Sequence, residues 1–112
     1  MAKYVDGFVS AIPKKNLDAY KKLAKNSGKL WRDLGALEYK ECIADDVPYG
    51  KTTSFPRSVE RKNSETVVFA WITYKSRKHR DQVNAKVMKD PYMANFDPKT
   101  MPFDGKRMFW GG

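Results

Sequence analysis

A chain of 112 residues with a formal net charge of +9, 41% apolar residues and 13% aromatics is one domain, 1–112, with enough apolar side chain for a core. No apolar run approaches the roughly 20 residues that cross a bilayer, which excludes a membrane-spanning function. The lone Cys42 and lone His79 exclude an intrachain disulfide and an ordinary zinc site built from Cys and His within one chain; no metal or cofactor is expected. The single thiol and a start, "MAKYVDGFV", without the apolar stretch of a signal peptide point to the cytoplasm.

In "KYVDGFVSAIP", Tyr4, Asp6, Phe8, Ser10 and Ile12 alternate with Val5, Gly7, Val9 and Ala11. Both sets are largely apolar, which predicts a strand covered on both faces and ended by Pro13. From Lys14 to Leu34 the spacing of Leu17, Tyr20, Leu23, Ala24, Leu30, Trp31 and Leu34 is helical. Lysines take the opposite side, and Gly35 is a natural stop. Ala36–Ala44 reads as a second strand, more polar and nearer an edge. A connection of about 20 residues follows, long for a compact domain, with one helical turn expected near Arg57–Arg61.

"TVVFAWITY" is the strongest strand, rich in β-branched and aromatic residues. Ser76 is a good N-cap for a second long helix, which runs to about Asp90 before Pro91. A helical turn is expected around Met93. In the closing "MPFDGKRMFWGG", Asp104 and Gly105 turn the chain into a last strand, Lys106–Trp110, with Arg107 and Phe109 on one side.

The order β-α-β-β-α-β predicts an α+β, ferredoxin-like fold: a four-stranded antiparallel sheet with both helices on one face. Nothing else in the chain is expected to cover the second face. An aromatic surface of that size is anomalous on a monomer, so two copies are expected to clasp sheet against sheet as a homodimer.

Asp6, between Val5 and Gly7 in an apolar strand, needs a cationic partner. Arg107, Lys106 and Arg80 are the candidates, and Arg107 is the expected one. Arg80 stands on the apolar side of its helix near the N-terminus, where the macrodipole disfavours a cation. With Arg77, Lys78 and His79 it could hold an anion on free N–H groups; pairing of Arg80 with a sheet carboxylate is the plainer reading, with its neighbours solvated. Tyr4, Phe8, Phe69 and Trp71 are core or interface aromatics that, with Asp6, Arg80, Asn84 and Arg107, could line a small-molecule pocket. Asp45 and Asp46 are read as turn residues, not a cation site. The lysine face of the first helix lacks interleaved aromatics, which argues for solvation over nucleic-acid binding.

The words "YVDGFV", "VVFAWI.Y.S...RD", "DP.M" and above all "MPFDGKRM" resemble an uncharacterised bacterial family, the YbaA-like proteins, over nearly the whole chain. That family is placed in the dimeric α+β-barrel superfamily, so the resemblance implies a dimeric barrel with a ligand-sized interior. It also brings cofactor-free monooxygenases and haem-degrading enzymes into view. His79 falls beside the inward stripe, and an exposed helical histidine is the better reading of it than an axial ligand. The leading expectation is a cytosolic dimer enclosing a small apolar or aromatic ligand, with enzymatic activity left open. The alternatives are a basic module for an anionic polymer, which salt would dissociate, and a monooxygenase-like enzyme, which rests on analogy of fold.

Overall fold

A computed structural model describes residues 2–112. The strands are β1 (Tyr4–Pro13), β2 (Glu38–Ile43), β3 (Glu65–Tyr74) and β4 (Phe109–Gly111). The helices are α1 (Leu17–Asp33), α2 (Phe55–Ser58), α3 (Arg77–Lys89) and α4 (Pro91–Ala94). The protein is α+β, with a four-stranded antiparallel sheet in the order β2-β3-β1-β4.

The alternation read from β1 survives in three dimensions. Its register with β3 sets Asp6 opposite Ile72 and Phe8 opposite Ala70. These face α1 and α3, and Ile72 and Tyr74 pack with Val83 and Val87 of α3 and with Leu30 and Trp31 of α1. Ser76 accepts a hydrogen bond from the His79 N–H, the N-cap that its position predicts. Gly35 has φ of +125°, a region open to glycine alone at low cost, so α1 stops there.

The second sheet face corrects one expectation. The chain does supply part of its cover: the connection after β2 folds back, and Val59, beyond α2, is buried against Val9, Ala11 and Val67. Ser54 caps α2 by accepting from the Arg57 N–H. The rest of that face stays open around Phe69, 42% exposed, which stacks obliquely on Phe55 and Trp71.

Several element bounds also differ from expectation: α1 starts at Leu17, after a 3-10 turn at Lys14–Asn16, and the helical turn expected near Arg57–Arg61 is α2, at Phe55–Ser58. The second strand is trimmed to Glu38–Ile43. The last spans Phe109–Gly111, because Gly105–Arg107 closes into a 3-10 turn capped by Asp104. Asp90, Asp97 and Asp104 each accept the N–H two residues on, so the segment between α3 and β4 is a succession of tight turns. That coiled segment forms a wall of the site.

Candidate functional site

Between α1 and the helix-facing side of the sheet lies a cavity of about 260 Å³. Its floor is Phe8, Ser10, Ala70 and Ile72; Trp31 and Ala24 come from α1; Met93, Phe96, Met101, Phe103 and Met108 come from the coiled segment. Asn16 fastens that segment by donating its side-chain N–H to the Pro102 carbonyl at 2.9 Å. Phe103 meets Tyr20 edge to face, with ring centroids 5.5 Å apart.

One polar cluster interrupts this lining. Tyr39 and Glu41 are two residues apart on β2 and so share the face toward α1. The Glu41 carboxylate accepts the Tyr20 hydroxyl on Oε1 and the Tyr39 hydroxyl on Oε2, the latter at 2.9 Å. Burial, then the negative charge of Glu41, push both tyrosine pKa values well above the ordinary phenol range; the Ser10 hydroxyl, beside Tyr20, works weakly the other way there. Gly28 permits this arrangement: a Cβ at that position would lie 2.9 Å from Cδ1 of Tyr39, so the helix approaches the ring only with no side chain there.

The residues singled out from the sequence fall into several places. Phe8 lines the cavity. Tyr4, Asp6, Arg80 and Asn84 gather under α3. There Arg80 Nη1 donates to Asp6 Oδ1 at 2.9 Å, Nη2 donates to the Tyr4 hydroxyl at 3.1 Å, and the guanidinium lies 5.0 Å from the Tyr4 ring centre. Burial opposes the Arg80 charge, but Asp6, Tyr4 and Asp81 outweigh it and raise the pKa. Asn84 accepts from the Trp31 indole N–H at 3.2 Å and from the Tyr74 hydroxyl at 3.4 Å.

The expected pairing of Asp6 with Arg107 is therefore wrong. The register of β1 and β4 pairs Gly7 with Gly111 and Phe8 with Trp110, which leaves Arg107 beyond the end of β4. It grips Glu65 instead, with Nη1 to Oε1 at 2.8 Å and Nη2 to Oε2 at 2.6 Å. Arg107 Nη1 also donates to the Val59 and Glu60 carbonyls. The two Arg107 bonds to its oxygens, with a third from the Lys62 N–H, hold the Glu65 carboxyl below the usual carboxylate range, although burial works the other way. Phe69 and Trp71 are on the opposite sheet face, where Trp71 donates to Glu38 at 2.7 Å.

Arg77 and Lys78 are exposed. The His79 ring accepts the Lys75 N–H at 3.0 Å and stands edge-on to Tyr74, so the first turn of α3 does not converge its cations on one point. Lys21, Lys22, Lys25 and Lys29 face water. Among the described residues no cluster of His, Cys, Asp and Glu could hold a metal ion, and no helix is long and apolar enough to cross a membrane.

Tyr20, Tyr39 and Glu41 were not singled out by the sequence. The signal was present, since Glu41 shares a strand face with Tyr39 and Ile43 as Asp6 does with Tyr4 and Phe8. It was masked because the neighbouring Lys40 and Glu38 make the whole strand look solvated.

Fold and site together define an α+β protein with a small, aromatic and methionine-lined cavity under its first long helix. The chain belongs to the family described as "Protein of unknown function (DUF1428)", whose model matches residues 3–105. It is 50% identical over 110 residues to "Uncharacterized protein YbaA" of Escherichia coli (strain K12), covering 98% of this chain and 93% of that protein. The similarity to the Shigella flexneri protein of the same description has the same extent.

Proposed function

We propose that this protein binds a small, mainly apolar ligand in the cavity between α1 and the sheet, and that it does so as a homodimer. The observation that carries the reading is the cavity itself. It is a cleft of about 260 Å³, open to solvent on one side and lined almost wholly by apolar side chains, the kind of concave, mainly apolar surface that small-molecule sites present. That volume sits just below the span of common small-molecule sites, ~300–1,000 Å³, so the occupant is one or two rings in size. Methionines on the wall adapt their shape to a guest more readily than branched side chains do.

The dimer rests on the open part of the second sheet face. Phe55, Phe69 and Phe109 are each more than 40% exposed, beside Val5 and Trp71. The strand order β2-β3-β1-β4 supports a ferredoxin-like reading of the unit, and two such sheets packed face to face would make the dimeric barrel that the family resemblance implies. In this reading the ligand sites are on the outer, helical sides of the two sheets, one per chain.

The test is titration of the purified protein with indane, followed by the fluorescence of Trp31, with native mass spectrometry for the number of subunits. Saturable binding that is lost in Ala24→Phe, a variant that fills the cavity, supports the pocket. A single-chain particle in dilute solution would remove the dimer, and failure of indane and of its 1-hydroxy, 1-amino and 1-carboxylate derivatives to bind would remove the pocket.

A further inference from the structure

Resting on that pocket, we infer that its ligand carries a hydrogen-bond donor, an O–H or N–H group, and no anionic group, and that the donor is seated on the Tyr20–Glu41–Tyr39 cluster. The reasoning is a count of hydrogens. An ionised carboxylate only accepts, and a phenol has one hydrogen to give. Both phenol hydrogens are already directed at Glu41, one to each oxygen. The indole N–H of Trp31, on the same lining, is directed away to Asn84 at 3.2 Å.

What the cluster still offers a guest is lone pairs: those left on the Glu41 oxygens and on the Tyr39 oxygen. Ser10, Ser27 and Tyr92, the other hydroxyls on the lining, can donate or accept alike, so the carboxylate sets the sign. A guest with a carboxylate or phosphate would place like charge beside Glu41, the one charged side chain on an otherwise apolar and hydroxyl lining. A guest with a hydroxyl or amine bonds to lone pairs that an apolar guest covers without using, and a site built on such bonds discriminates against the analogue that lacks the donor.

This inverts the expectation drawn from net charge. The chain is +9 overall, and Lys21, Lys25 and Arg32 line an adjoining cleft that shares Tyr20, Tyr39 and Glu41 with the cavity. The cations are on the outside of α1 and its neighbouring edge; the interior wall is acidic. Charge summed over the chain therefore misreports the chemistry of its cavity.

The experiment compares four bicyclic probes of one skeleton on the intact protein: indane, 1-indanol, 1-aminoindane and indane-1-carboxylate, each titrated by calorimetry at neutral pH. At least one donor-bearing probe is expected to bind tenfold or more tightly than both indane and the carboxylate. Whether the alcohol or the ammonium leads then tells a neutral donor from a cationic one. Glu41→Gln, which adds an N–H donor to the wall and removes its charge, is expected to erase the rejection of the carboxylate. If that variant fails to fold, the wild-type series still decides. Indane binding as tightly as both donor-bearing probes, or the carboxylate binding as tightly as either, overturns the inference and leaves the pocket standing. No binding by any of the four removes the pocket as well.

Discussion

Arg107 holds both oxygens of Glu65 across 42 residues of sequence, with Nη1 to Oε1 at 2.8 Å and Nη2 to Oε2 at 2.6 Å. The bidentate grip ties the start of β3 to the turn that launches β4. Because Arg107 also holds the Val59 and Glu60 carbonyls, it fastens the long connection onto the second sheet face. Arg107→Met leaves a carboxylate that is 4% exposed without its cation. The expected loss is about 3–5 kcal/mol, the usual cost of breaking a buried pair. Urea unfolding checks it, and a change below about 1 kcal/mol would show the grip to be incidental.

The same pair sets an acid limit. The Glu65 pKa is lowered in the folded protein, so its ionised form is the one that folding favours. Its contribution is fully present above the unfolded glutamate value, about 4.3, and is lost as pH falls from there through the lower folded value. Thermal scans from pH 6 downward are expected to show a falling midpoint below about pH 4.3, with the fall reduced in Glu65→Gln.

Asp6 and Arg80 form the second buried pair, and here the two partners can be removed together. Arg80→Met alone strands a carboxylate that is 3% exposed and is expected to cost about 3–5 kcal/mol. Adding Asp6→Asn is expected to restore part of that loss, because the stranded charge goes with it. Strict additivity of the two changes would show that they do not interact.

Alkali acts on the tyrosines. Burial and the nearby Asp6 push the Tyr74 pKa up to about 12, and Tyr20 and Tyr39 are pushed up further beside Glu41. For these groups the protonated form is favoured by folding. Their contribution is complete below the unfolded value near 10 and is lost as pH rises beyond it. Absorbance at the phenolate band is expected to show three of the six tyrosines ionising only together with unfolding.

Gly28→Ala pits two effects against each other. Alanine favours a helix interior by about 1 kcal/mol over glycine. Against that, the new Cβ would stand 2.9 Å from the Tyr39 ring and 3.1 Å from Arg32 Nη1, and overpacking costs about 1–3 kcal/mol. The clash is expected to win, with a net loss in urea unfolding and weaker indane binding as Tyr39 is displaced from the cavity wall. A gain in stability would show that the helix can retreat freely.

Most of the architecture was legible before any coordinates. Period-two alternation in Tyr4–Ile12 and Thr66–Tyr74, the helical stripe from Leu17 to Leu34, and the signals at Ser76 and Gly35 are local patterns, written in residues close along the chain. Local patterns also showed that Asp6 and Arg80 had to find partners, since a charge among apolar neighbours is costly wherever the chain goes. Which partner each found was a matter of strand register. β4 meets β1 only at Gly7–Val9, so Arg107 is carried to Glu65 and Arg80 is left to Asp6. The cavity was likewise invisible, because Tyr20, Glu41 and Met101 come from separate parts of the chain and no spacing links them. Periodicity reports which face of an element is buried. What that face meets depends on how elements far apart in sequence are brought together, and that is settled only when the chain closes on itself.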